Sequence, residues 1–484
     1  MEKLNIIPYP NYVKFLGGSI PAEELNAAAS TIALTGDISH PEGYELRIAN
    51  GRIKIAAGGK AGAFYAKQTL RQLAQTNPGA LPCVEIRDEP VFSYRGFMLD
   101  SVRHMTALDD VKKLIDAAAM LKLNVMHWHL TDDQGWRIEI GSHPALNETG
   151  SRRAGSDFGK VHTAQEYGGY YPKRELREIV DYCAKRYIEV IPEIDMPGHM
   201  IAAIASYPDI SCRGEQIPVE TRQGIFPDIL CAGSEKTYEI IFDVLTEVLD
   251  IFPSETIHIG GDEAPKKRWE ECPRCQKLKA ELGLSDEEEL QGWFMNRIAE
   301  FLRANGRRAV TWNESLKSGL LAEDVMVQMW MDRKKRSVNF ANRGGKIIVS
   351  PFHHYYTDYP YGMTPLNKTY RFDPLLKGLT QEGARNVTGV EAPVWTEHIR
   401  DFERLCYMAY PRFAAVAETG WTMPQNKDMQ DFNRRMTVFA PQLEAIGIQP
   451  APASDWNPNP LRRIVETVKF FSGIITKDMI KGYD

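Results

Sequence analysis

The chain has 484 residues, 43% hydrophobic and 25% charged, the make-up of a soluble globular protein with apolar material for more than one domain. Its 58 Lys and Arg against 64 Asp and Glu leave a formal charge of −6, with no long block of one sign. That argues against nucleic acid or anionic lipid held by a basic face. No stretch approaches the ~18 apolar residues of a membrane span. The opening Met1-Glu2-Lys3-Leu4-Asn5-Ile6 carries no apolar export segment. The protein therefore reads as cytoplasmic, or as periplasmic or secreted if a signal has been removed.

Residues 1–92 read as a small α+β domain. Tyr44–Ile48 and Ile53–Ile55 alternate apolar and polar around Asn50-Gly51, a hairpin signature. Ala63–Leu73 follows as a helix. Asp88-Glu89-Pro90 is a polar junction. From there to residue 449, short apolar runs alternate with amphipathic helices. The runs are Gly96–Asp100, Asn124–His129, Ile188–Ile194, Thr256–Gly260, Arg308–Trp312, Val325–Trp330, Lys346–Ser350 and Gly389–Trp395. Near-continuous apolar character fits strands buried on both faces. Thr106, with Asp109 three residues on, is expected to cap the first helix between them. Further helices are expected near 173–187, 234–250, 286–305 and 402–417.

Eight such units predict a (β/α)8 TIM barrel with long loops. An open doubly wound sheet would show a Gly-rich turn after its first strand, which Arg95–His104 lacks. Residues 450–484 open with Pro450-Ala451-Pro452-Ala453, reading as a linker before one short helix.

Seven cysteines do not make a disulfide scaffold. Cys272-Pro273-Arg274-Cys275 is the only close pair. A structural zinc would need two more ligands, and no second Cys-x-x-Cys or His-x-x-His accompanies it. The pair is read as loop thiols, open to a redox link, and neither metal nor cofactor is expected.

In a barrel the chemistry lies where the strands end. Here those ends carry Asp100 with Arg103 and His104, His127-Trp128-His129 with Asp132-Asp133, and Glu193, Asp195 and His199. Later come Asp262-Glu263, Trp312 with Glu314, Trp330 with Asp332, Tyr355-Tyr356 with Asp358, and Trp395 with Glu397. Capping or core packing accounts for one or two of these, but not for polar groups or Trp at nearly every end. Carboxylates, an Arg and indoles around one mouth suit a sugar, whose hydroxyls take charge-assisted hydrogen bonds and whose C–H faces stack on aromatic rings.

Four segments in order resemble the β-N-acetylhexosaminidase family, retaining glycoside hydrolases that remove terminal GlcNAc or GalNAc. They are Arg95–His104, Asn124–Gln134, Pro192–His199 and His258–Glu263. The resemblance extends over most of the chain, including Ala63–Leu70 of the leading domain. It implies substrate-assisted catalysis, in which the sugar's own 2-acetamido oxygen attacks the anomeric carbon and an oxazolinium intermediate forms.

By the same resemblance Glu263 is the general acid and then the base for water, Asp262 orients the acetamido N–H, and Tyr356 donates to the acetamido oxygen. Trp312 and Trp330 wall the acetyl group and Trp395 stacks on the sugar. Arg103, Glu397 and Asp358 hold hydroxyls, and Asp132 with His199 forms a carboxylate–imidazole relay behind the acid. The partner implied is a glycan with a terminal N-acetylhexosamine, in an oligomeric state the sequence leaves open.

Rival readings stay open. His-x-His at a strand end also holds metal in amidohydrolases, since alternate strand residues share a face. A non-catalytic sugar-binding barrel would keep the aromatics. Within the family, release of a disaccharide or of sulfated GlcNAc would be decided by loops, and Arg152-Arg153 in the 142–171 loop is a basic pair near the mouth. Arg95 reads as a structural salt-bridge partner.

Overall fold

The computed structural model describes residues 3–21, 31–159, 161–332 and 335–474. In the leading domain five strands form one sheet, in the order 12–21, 80–88, 44–49, 52–57, 31–34, with the helix Lys60–Thr76 against it. Asn50 and Gly51, at φ 51° and 66°, make the tight turn that pairs Ile48 with Ile53. Both positive angles are what a two-residue hairpin turn of matching twist requires.

The expected barrel is present. Its strands are β1 (Tyr94–Asp100), β2 (Val125–His129), β3 (Glu189–Glu193), β4 (Thr256–His258), β5 (Arg308–Trp312), β6 (Met326–Met329), β7 (Ile347–Val349) and β8 (Val387–Val394), parallel and closed by β8 against β1. Alternation of side chains along these strands sorts the interior by height. Tyr94, Val125, Ile191, Val310, Met326 and Ile348 form an apolar plug at the lower end. Two residues further along come His127, Glu193, Trp312, Gln328 and Ser350, all buried. Above them the carboxyl ends open into the mouth. The apolar core proper lies outside the strands, under the helices.

A buried ionic joint ties the two bodies together. Lys122 lies 3.0 Å from Asp88, which also accepts hydrogen bonds from Tyr44 (2.6 Å) and the Trp421 indole (2.9 Å). Arg95, as expected, is a salt-bridge partner, pairing with Glu42 at 2.7 Å.

Three expectations need correction. The helix after β1 runs Leu108–Met120 with Ala107 at its N-cap, and Thr106 does not cap it. The Thr106 carbonyl instead accepts the Tyr171 hydroxyl at 2.6 Å, because the loop after β2 folds across this helix start. The helix expected at 402–417 is two, Phe402–Ala409 and Arg412–Trp421, interrupted at Tyr410-Pro411 where proline lacks the amide to continue the ladder. Finally, the segment after 449 is not a free linker. Ala451 is buried and its amide donates to the Tyr410 carbonyl, Trp456 is buried, and the helix Pro460–Ile474 reaches Gly362 through Glu466.

Candidate active site

β4 ends at His258 and the chain turns through Gly260 and Gly261, at φ +66° and +105°. A Cβ on Gly260 would sit 1.6 Å from the Asp195 carboxylate, and one on Gly261 2.3 Å from the Ser315 hydroxyl. Only glycine passes between those walls, and the turn delivers Asp262 and Glu263 to the mouth. Glu263 itself has a left-handed φ of 43°. For a non-glycine residue that is uncommon and marks a position held by its surroundings.

Asp262 is buried, and burial pushes its carboxyl up to about 7, against the pull of His199 and with the charge of Glu263 adding to the rise. Glu263 is part-exposed. His199 faces both, its Nε2 3.9 Å from Asp262 and 3.6 Å from Glu263. On the far side its Nδ1 lies 3.1 Å from Asp132 and 3.2 Å from Asp133. The imidazolium is favoured despite its burial, because these carboxylates outweigh the desolvation.

Behind Asp132 the polar interior continues. Asp132 meets His129 at 2.8 Å, and His129 meets Glu193 in a very short contact. Glu193 also accepts the Trp312 indole (2.7 Å) and faces His258 (2.9 Å) and His127 (3.2 Å). His127 reaches Glu391 at 3.0 Å, which Gln328 and Tyr94 also engage. Buried charges of this kind persist where each is paired and hydrogen-bonded. His127 and His129 share a face, as the metal reading requires, and both are paired with carboxylates. The sequence marks Glu193 as a polar strand end without giving it a role, and it gives no role to His258 or Glu391. The signal for Glu391 is one acid within the apolar run Gly389–Val394.

Arg103 is spread over Asp132 (2.7 Å), Gln134 (2.9 Å), Asp100 (3.3 Å) and Glu397 (3.7 Å), with its guanidinium 5.1 Å from the Trp395 ring centroid. Trp395 lies 6.1 Å from Trp312 and 6.2 Å from Tyr356, and Tyr356 lies 6.4 Å from Trp330, in near-parallel stacking. Asp358 is held neutral to about 8 by burial and then by Glu397. These contacts join Asp262, Glu263 and His199 through Asp132 to Arg103 and Glu397, and Arg103 through Trp395 to Trp312, Tyr356 and Trp330.

Asp332 and Tyr355 make other contacts among the described residues. Asp332 accepts the Val338 amide at a helix start, and Tyr355 packs on Phe372. Of the basic pair, Arg153 is buried on backbone carbonyls such as that of Arg103 (2.7 Å), and Arg152 pairs with Glu166 (2.7 Å).

Asp262 Oδ1, Trp330 Nε1 and Asp358 Oδ1 are buried with no protein partner. Fourteen such atoms occur among the described residues, and these three share one mouth, where a bound molecule would supply the hydrogen bonds that buried polar groups normally make.

The pattern for the catalytic domain of glycosyl hydrolase family 20 matches residues 92–424, and that for the family's domain 2 matches residues 17–89. The chain belongs to glycosyl hydrolase family 20. A β-hexosaminidase of Porphyromonas gingivalis is 40% identical over 86% of this chain and 56% of its own length, so the chain spans little more than half of that relative. One of Akkermansia muciniphila is 36% identical over 84% of this chain and 86% of its own length. A crystal structure of the Vibrio harveyi family 20 exo-β-N-acetylglucosaminidase in complex with N-acetylglucosamine superposes with a TM-score of 0.82, at 29% identity, over 94% of this chain and 80% of that one.

One expectation about metals changes at this family 20 barrel. Cys272 and Cys275, read as a pair without further ligands, are joined in space by Cys212 and Cys231. These come from another loop at spacings no short motif displays.

Proposed function

We propose that the chain is a retaining exo-β-N-acetylhexosaminidase that hydrolyses terminal β-linked GlcNAc, and GalNAc as well, with the substrate's acetamide as nucleophile. The observation that carries this is the buried, unpartnered Oδ1 of Asp262 beside Glu263, in a mouth walled by Trp312, Trp330, Tyr356 and Trp395. An acceptor so placed suits an amide N–H, and the indoles suit the acetyl methyl and the sugar face. The bound N-acetylglucosamine of the Vibrio harveyi structure supports the same ligand class.

The residues then divide the work. Asp262 accepts the acetamido N–H and, ionised, stabilises the positive charge that grows as the acetamido oxygen closes on the anomeric carbon. Tyr356 donates to that oxygen and fixes its approach. Glu263 gives its proton to the departing glycosidic oxygen. In the second step it takes one from the water that opens the oxazolinium at the same carbon, so configuration is retained. His199, backed by Asp132, sets the electrostatics behind both carboxyls. Arg103 and Glu397 grip hydroxyls on the open edge, with Asp358 as a further donor or acceptor.

Rates on an aryl β-GlcNAc, the β-GalNAc epimer and the aryl β-glucoside without acetamide test this directly. Hydrolysis of the first two with negligible action on the third is expected. Equal rates on the glucoside would overturn the substrate-assisted reading.

A further inference from the structure

Away from the catalytic mouth, Cys212, Cys231, Cys272 and Cys275 form a cluster. Cys212 follows the short turn Pro208–Ile210, in the excursion after β3 that also carries His199. Cys231 closes the same excursion. Cys272 and Cys275 stand at the start of the helix Pro273–Glu281, in the excursion after β4 that begins with Asp262 and Glu263. Cys231, Cys272 and Cys275 are buried, and Cys212 is partly so.

The sulfurs of Cys212 and Cys275 lie 3.8 Å apart, those of Cys231 and Cys272 3.8 Å, and those of Cys231 and Cys275 3.6 Å. All four lie within 4.8 Å of one another. Four thiolates each about 2.3 Å from a tetrahedral ion have sulfurs about 3.8 Å apart. A disulfide would instead bring one pair to about 2.05 Å. A multi-iron cluster holds its thiolates around several atoms and hence wider apart. Burial of the Cys-x-x-Cys also argues against the redox reading, which needs a sulfur that a partner can reach.

Arg274, between the two cysteines of the Cys-x-x-Cys, donates to the Ser211 carbonyl (2.8 Å) next to Cys212 and so places a positive charge beside the cluster. A Cβ on Gly233 would come within 2.3 Å of the Arg274 carbonyl carbon, so the two knuckles close on each other only through glycine.

We propose that Cys212, Cys231, Cys272 and Cys275 bind one zinc ion in a closed tetrathiolate site that clips the loop after β3 to the loop after β4. With all four positions filled by protein, the ion is structural. Its neighbours show what it secures. The Leu230 amide donates to the Pro197 carbonyl (3.0 Å), two residues before His199, and the Trp269 indole donates to the Leu230 carbonyl (2.8 Å), six residues after Glu263. The clip therefore fixes the separation of His199 from Glu263 without touching substrate.

Elemental analysis of the full chain, expressed with zinc and freed of loose metal by gel filtration, is the test. A single equivalent of zinc is expected, lost in the Cys231→Ser/Cys275→Ser variant and kept in Cys183→Ser/Cys406→Ser, whose thiols lie elsewhere. The wild-type chain, stripped under reducing conditions and given cobalt(II), should develop the visible bands and sulfur-to-metal charge transfer of a tetrahedral tetrathiolate. It should melt several degrees higher with zinc than without. Less than a tenth of an equivalent of zinc together with no cobalt spectrum would overturn the proposal, as would intact-mass evidence that the four thiols form two disulfides.

Discussion

Replacing Asp262 by Asn should stabilise the fold at alkaline pH while disabling the site. The native carboxyl keeps its proton up to about 7, whereas in the unfolded chain it ionises near 3.8. Between those values the folded state binds the extra proton, so this group's contribution is present in full below about 3.8 and is lost as pH rises through 7. At about 1.4 kcal/mol per unit, the full loss is roughly 4 kcal/mol, of which about 3 kcal/mol falls between pH 5 and pH 8.

Asparagine keeps the shape and does not titrate. With an unfolding entropy of about 1 kcal/mol/K for a chain of this length, the Tm advantage of the variant should grow by about 3 °C from pH 5 to pH 8. Thermal melts of both proteins at the two pH values measure it. The same variant should lose about 10²–10³ in kcat on aryl β-GlcNAc, the scale of one preorganised electrostatic contact. A Tm difference that is flat across this range would refute the claim that Asp262 is held protonated by burial.

Glu263→Gln should slow substrates with poor leaving groups far more than those with activated aryl groups, because the latter need little protonation in the first step. A Brønsted series measures this, and equal losses along it would remove Glu263 from the acid role. Tyr356→Phe should lower kcat on aryl β-GlcNAc by about 10²-fold with little change in KM, if its hydroxyl acts on the acetamido oxygen as the ring closes. Arg435→Met should cost about 3–5 kcal/mol in denaturant titration, since it leaves Glu418 buried without the partner now 2.7 Å away. Activity of the folded fraction should be unaffected.

Much of the fold is legible in the sequence because it rests on local periodicity. The eight apolar runs mark strands enclosed by helices, Asn50-Gly51 marks its turn, and Gly260-Gly261 marks a backbone passing where no side chain fits. The site residues are legible for a related reason. In a closed parallel barrel every strand ends at the same rim, so the polar residues that finish β1 to β8 converge whatever the loops do.

What the sequence leaves open depends on contacts between segments far apart in the chain. Thr106 looks like a cap until the helix is seen to start one residue later, with Ala107 in the capping position. Arg152-Arg153 looks like a basic pair until one side chain turns inward. Glu391 shows its use only when β8 closes against β1 and faces His127 across the interior. The protonation of Asp262 is likewise a property of place, set by low dielectric and by His199. Cys272 and Cys275 are two of four thiols only because β3 and β4 are neighbours, which brings the loops that follow them together. Asp262 and Glu263 were fixed as a pair by the chain itself; which of them stays buried and which faces the open mouth was decided by the tertiary structure, because burial and charge reach a residue through space.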